Sequence, residues 1–235
     1  MSLRIKLQGK KMSYLKDCHI DKALERLKQT YKSYKSLGFI NFITHAFYIK
    51  QEALLLLKNL HELSPYESFN KLQIHPLHKS QKSELVEFYN LASISVFNPD
   101  RLIEKYLDDG HKCFYATKND KMIGYFWWGG KQSDCKNCLP ILRYIHKNCL
   151  KQNDDVLGID FFILPEARGD GTALEFYAKV CRELNHLGYK HMFGSVLSDN
   201  RAARWTYDLL GLAVIQKVTI HRLFSYKTFI MPSDA

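Results

Sequence analysis

An apolar run from Val156 to Leu164 stops at Pro165 and passes through Gly169-Asp170-Gly171 into a helix-patterned stretch, Thr172 to Leu187. A run of strand length without polar interruption needs cover on both faces, so it belongs in the middle of a sheet packed between helices. The glycines that follow permit a tight turn and a close backbone approach. A helix starting there presents unpaired N–H groups and a partial positive charge to whatever lies before it, which makes an anion site. Arg168 either adds a charge-assisted contact to that anion or braces the loop.

Strand and helix patterns alternate on both sides of this segment, as in an α+β or α/β domain. Leu72–Pro76 reads as a strand, and Ser83–Ser95 and Pro99–Asp109 as helices. Lys112–Lys118 and Met122–Trp128 flank Asn119-Asp120-Lys121, a hairpin signal. Within it, Tyr125-Phe-Trp-Trp128 reads first as a central strand buried on both faces and second as a wall of an acceptor pocket. Residues 129–154 form an insertion with a short helix at Leu139–Leu150. A strand at Met192–Leu197, a helix at Arg201–Leu210 and a strand pair over Ala213–Ile230 complete the pattern.

Before residue 70 the pattern reads as helical. Leu15, Ala23, Leu24, Leu27, Tyr31 and Tyr34 recur at helical spacing within Tyr14–Ser36, which Leu37-Gly38 ends. A second helix is expected over Ile40–Leu63, apolar on much of its circumference and stopped by Ser64-Pro65. Residues 1–66 are therefore expected to form a basic helical hairpin packed on a domain spanning 70–235.

Composition narrows the function classes. The 46% apolar and 13% aromatic content supports a packed core. The net charge of +10 is uneven, because residues 1–75 hold 13 Lys and Arg against 6 Asp and Glu. Of the 34 basic residues 25 are lysines, which more often mark a solvated face than a binding site, and no base-reading motif accompanies them. Specific nucleic-acid binding is not expected. The apolar stretch Phe39–Leu63 is broken by His45, Lys50, Gln51, Glu52 and Lys58, which suits it poorly to span a membrane. Six scattered cysteines and a start without an apolar signal core point to a soluble protein of the reducing cytoplasm.

The loop itself resembles the signature of the GNAT superfamily of acyl-CoA N-acyltransferases, which reads Arg or Gln, two residues, Gly, one residue, then Gly or Ala. Arg168, Gly171 and Ala173 fill those places. Asn200, Ala203 and Tyr207, followed by Leu210-Gly211, resemble the family's second block and lie along one helix face. Leu212 stands where the family has Phe, a packing change. With Ile74-His-Pro-Leu77 at its start, the resemblance covers about residues 70–235. It implies the GNAT fold, a mixed central sheet flanked by helices.

The resemblance also implies acetyl-CoA, or another acyl-CoA, as co-substrate. Its sites would be Phe162, Ile163 and Leu164 at the strand end, Arg168, Gly169, Asp170, Gly171, Thr172 and Ala173 around the loop, and Asn200, Ala203 and Tyr207 on the later helix. Tyr207 stands where the family places its general acid, and otherwise only packs against pantetheine. Asp160, on the same strand face as Phe162 and Leu164, is a base or else a structurally paired carboxylate. Oxyanion help would come from backbone N–H near Ile163. Asp170 sets a carboxylate beside the phosphates, or caps the helix and points away. The implied acceptor is a primary amine on a small molecule or a protein. A catalytically silent binding module, a peripheral-membrane transferase using longer acyl chains, and a homodimer stay open.

Cys135-Lys-Asn-Cys138, His146 and Cys149 together resemble a soft ligand set. Because His146 and Cys149 sit on the expected helix Leu139–Leu150, unrelated thiols are the preferred reading. No metal is expected.

Overall fold

The computed structural model describes residues 48–62, 66, 71–92, 94, 98–223 and 227–232. The chain divides into two compact units, Met1–Ile49 with His221–Lys227 and Lys50–Ile220 with Thr228–Ala235. The second unit carries the site. The expected helix at Tyr14–Ser36, and the first part of the one beginning at Ile40, lie outside the described residues.

Eight strands form one mixed sheet: β1 (Tyr48–Asn59), β2 (Gln73–Pro76), β3 (Lys112–Lys118), β4 (Lys121–Gly130), β5 (Asp155–Ile163), β6 (His191–Leu197), β7 (Ala213–Leu223) and β8 (Lys227–Pro232). They are ordered β2-β3-β4-β5-β6-β1-β7-β8. Among the described residues five α-helices accompany them: α1 (Lys82–Leu91), α2 (Pro99–Asp108), α3 (Pro140–Asn148), α4 (Thr172–His186) and α5 (Arg201–Leu209). The alternation of strands and helices from residue 72 onward is the one the pattern predicts, and the mixed sheet flanked by helices is the one the resemblance implies. Among the described residues no helix is long and apolar enough to cross a membrane.

Each face of the sheet has its own core. On one face Phe126, Trp128, Phe161 and Ile163 pack with Phe176, Tyr177 and Val180 of α4. On the other, Tyr125, Trp127, Leu157 and Phe162 pack with Leu85, Phe88 and Tyr89 of α1, Ile103 of α2 and Ile145 of α3. The aromatic run of β4 is thus buried on both faces, as its composition implies. The β3–β4 hairpin closes on Asn119 and Asp120, both with positive φ, the conformation a two-residue primed turn requires.

One expectation is corrected. Tyr48–Asn59, inside the predicted second helix, is strand β1, antiparallel to β6 from Ala53↔Leu197 to Asn59↔His191. Ala53 and Leu55 join one core while Leu54 and Leu56 join the other, so the side chains alternate with period two. A run apolar at every position looks the same as a buried strand or a buried helix. What decides is the position between β6 and β7, where both faces are covered. The main sheet therefore takes in a strand from before residue 70.

A buried ion pair ties β2 to α4. Glu175 Oε1 lies 2.8 Å from Lys179 Nζ and accepts the N–H groups of Lys71 and Leu72, while Lys179 Nζ donates to the Leu72 carbonyl at 2.7 Å. The two charged groups neutralise each other, and their remaining bonds go to the backbone entering β2.

Candidate functional site

The site begins where two strands part. β5 and β6 pair in parallel only at Asp155↔His191, Val156↔Met192 and Leu157↔Phe193. Just beyond, β5 carries a bulge: Trp127 faces Asp160 and Trp128 faces Gly158 across the β4–β5 ladder, leaving Ile159 without a partner. A bulge bends its strand and shifts the side-chain alternation by one. Leu157 and Ile159 accordingly share a core with Phe162 and Leu164, although strict alternation would put them on opposite faces. A cleft of about 390 Å³ opens between the separated strands, walled by Phe161 and Ile163 of β5, Val196 of β6 and Asn200, Ala203 and Tyr207 of α5.

At one end of the cleft stand Arg168 and Ala173. The loop between them runs through Gly169 (φ 148°), Asp170 (φ 47°) and Gly171 (φ 75°), three positive values in succession. Glycine at two of the three removes most of the strain such a turn imposes. Gly171 is the N-cap of α4 and supplies no side chain to it; the Thr172 N–H donates to the Gly169 carbonyl and the Glu175 N–H to that of Gly171, so the N–H groups between them, of Ala173 and Leu174, are left for another partner. The alternative in which Asp170 caps the helix is corrected: it lies one residue too early, in a left-handed turn with its carboxylate exposed.

Of the two roles expected for Arg168, the geometry shows the bracing one. Its Nε donates to the Ile163 carbonyl at 3.0 Å, and its guanidinium lies 5.6 Å from the centre of the Phe162 ring. Lys71 Nζ holds the loop from the other side through the Asp170 carbonyl at 2.8 Å. The Ile163 carbonyl thus points away from β4, whereas the Leu164 N–H is bonded to Ile123 of β4. N–H and C=O of one strand residue point to the same side, so the Ile163 N–H faces the cleft.

Asp160 and Tyr207 meet electrostatically. Asp160 does not line that cleft: its carboxylate lies on the face of Tyr125 and Phe162, where the surrounding protein removes enough water to raise its pKa, opposed by hydrogen bonds from the Tyr125 hydroxyl at 2.9 Å and the Phe161 backbone. Tyr207 stacks obliquely on Tyr177 with ring centres 5.5 Å apart. Burial first, and then the charge of Asp160, push its pKa up to about 12. Behind Asp160 runs a chain of donors. Trp127 Nε1 donates to the Tyr89 hydroxyl at 3.1 Å, that hydroxyl is bonded to Tyr125, and Tyr125 donates to Asp160.

Of the residues the sequence singles out, Ile163, Arg168, Ala173, Asn200, Ala203 and Tyr207 line this cleft. Phe162 and Leu164 do not; their side chains pack on the opposite face, and Phe161 takes that place in the wall. The bulge, invisible in the pattern, makes the difference. Asn200 Oδ1 caps α5 by accepting the Ala203 N–H at 3.1 Å. Sequence reasoning missed Tyr89 and read Tyr125 only as part of the aromatic run of β4, since their signal is a hydroxyl on an otherwise apolar aromatic. The soft-ligand set is not brought together as read: Cys135 and Cys138 meet His111 instead of His146 and Cys149.

Comparison with known proteins agrees with this geometry. A model described as acetyltransferase (GNAT) family matches residues 74–212, more than half of the chain. Among curated proteins no match is found. A conserved protein of unknown function from Staphylococcus epidermidis is similar over 88% of this chain and 78% of its own, at 12% identity and a TM-score of 0.54. A GCN5-related N-acetyltransferase from Sphaerobacter thermophilus also shares 12% identity with a TM-score of 0.54, over 79% of this chain and 56% of that one. At such identities the likeness speaks for the fold.

Proposed function

Because this chain belongs to the acetyltransferase (GNAT) family, we propose that it transfers an acetyl group from acetyl-CoA to a primary amine by direct attack on the thioester. The observation that carries this reading is the cleft between β5 and β6, with Ala173 of the α4 N-terminus and Tyr207 in its wall and Asp160 near enough to raise the Tyr207 pKa.

In this reading the pyrophosphate of coenzyme A sits against the glycine loop on the N–H groups of Ala173 and Leu174, and pantetheine extends between Ile163 and Val196. The incoming ammonium loses a proton to Asp160, whose raised pKa makes it a stronger base than an ordinary carboxylate. The amine lone pair attacks the thioester carbon, and the Ile163 N–H stabilises the charge that develops on oxygen. As the carbon–sulfur bond breaks, Tyr207 gives its proton to the departing sulfur, and the second proton leaving the new amide nitrogen restores the phenol, so that one net proton, the one on Asp160, is released to solvent. A pKa of about 12 keeps that phenol protonated at neutral pH. The products are an amide and the free thiol of coenzyme A. The acceptor, on a small molecule or a protein, is met in the cytoplasm.

Thermal shift with acetyl-CoA, followed by thiol release across a panel of amines, tests the proposal. A shift together with release under at least one amine is expected. A shift without release under any amine would instead identify a silent acyl-CoA-binding module.

A further inference from the structure

We propose that His111, Cys135 and Cys138 form a zinc-class metal site that fastens the insertion after β4 to the turn between α2 and β3. Their candidate ligand atoms all lie within 4.8 Å of one another, and all three residues are buried, at 3%, 5% and 5% exposure. Cys138 Sγ is 3.5 Å from His111 Nε2. In a tetrahedral site with ordinary zinc–sulfur and zinc–nitrogen bonds, sulfur and nitrogen ligands stand about 3.6 Å apart. The observed separation matches that edge before any ion is present.

The ligand nitrogen is Nε2, which faces Cys138, while His111 Nδ1 is the ring's outer nitrogen, buried with no hydrogen-bond partner. No competing bond at Nδ1 therefore turns the imidazole away from the two sulfurs. Two sulfurs and one imidazole are a soft set that suits zinc over magnesium or calcium. The fourth position is left to water, because the Asp109 carboxylate, held by Asn137 Nδ2 at 2.6 Å, stands outside the cluster.

The local backbone is already arranged for the site. Cys135 and Cys138 close a turn through the Cys138 N–H to the Cys135 carbonyl at 3.1 Å. The Asp134 N–H donates to the Asp109 carbonyl at 2.8 Å, and Ser133 Oγ donates to the Gly110 carbonyl at 3.0 Å. These bonds hold the insertion against the residues that present His111. Binding a divalent ion would release the protons of both thiols. The site lies apart from the acyl-transfer cleft, so its role is structural. His111 packs edge-on against Tyr106, and Tyr106 against Trp127, at 5.5 and 5.1 Å.

The full chain, reduced and stripped with chelator, is incubated with Zn(II), freed of excess by gel filtration and analysed for metal. About one zinc per chain is expected, and Co(II) in its place should give the near-ultraviolet band of thiolate coordination. His111→Asn and Cys135→Ser should each lose the ion, whereas His146→Asn and Cys149→Ser should keep it. Three results would overturn the site: wild-type protein that stays metal-free, a Cys135–Cys138 disulfide in protein purified without oxidant, or zinc retained by His111→Asn. Should either variant fail to fold, the Co(II) spectrum of the wild type decides alone, since absence of the thiolate band excludes sulfur ligation.

Discussion

The Tyr125 hydroxyl donates to Asp160 Oδ2 at 2.9 Å from the neighbouring strand. That bond favours the ionised carboxylate, against the burial that raises its pKa. Tyr125→Phe should therefore raise the pKa of Asp160 further and move the acidic limb of the kcat/KM profile to higher pH. A pH–rate profile superimposable on that of the wild type would show that Asp160 does not titrate in the reaction.

Asp160 also links pH to stability. Its pKa is higher folded than unfolded, so between those two values the folded state binds the extra proton. Stability is then lost as pH rises through that window. Asp160→Asn should remove this loss, making the variant more stable than wild type at neutral pH while it turns over more slowly. Urea denaturation at pH 4 and pH 7 checks the first part; equal pH dependence in the two proteins would refute it.

Tyr207→Phe removes only a hydroxyl from a packed ring. As the general acid Tyr207 should contribute about 10²–10⁴ in turnover, with acetyl-CoA affinity nearly unchanged. Steady-state kinetics beside calorimetric titration separate the two. Unaltered turnover would leave Tyr207 as a packing residue against Tyr177.

Gly171→Glu should abolish coenzyme A binding in a protein that remains folded, because a carboxylate would stand where helix N–H groups meet pyrophosphate. The left-handed backbone at Gly171 adds about 1–2 kcal/mol of strain for any L side chain. Gly171→Ala carries that strain without the charge and serves as the control. Calorimetry with coenzyme A showing equal affinity for Gly171→Glu and Gly171→Ala would refute the assignment of the loop.

Lys179→Met leaves Glu175 charged, fully buried and without its cation. Breaking such a pair typically costs about 3–5 kcal/mol. Urea denaturation should show this loss, and a smaller one, under about 1 kcal/mol, would mean that the Lys71 and Leu72 N–H groups suffice to hold the carboxylate.

Deleting residues 1–66 takes β1 out from between β6 and β7, exposing two ladder edges and both core faces beside Leu55 and Leu56. An insoluble remainder is expected. Soluble, monomeric protein with an unchanged Tm would show that the rest of the sheet closes without this strand.

By itself the sequence determined the elements from residue 72 onward and the glycine turn into α4 at Arg168–Ala173. Those signals are local: period, turn residues, and glycines before a helix. It also placed Asn200, Ala203 and Tyr207 on one helix face, since their spacing follows from helical pitch alone. Only the tertiary structure decided three matters. Tyr48–Asn59 became a strand because an all-apolar run takes the conformation its neighbours cover, and the neighbours lie over a hundred residues away in β6 and β7. Phe161 replaced Phe162 in the cleft because a bulge at Ile159 reverses the alternation without any local residue marking it. Cys135 and Cys138 met His111, and Asp160 met Tyr125, because antiparallel strands and packed loops join residues by register, which sequence distance does not encode.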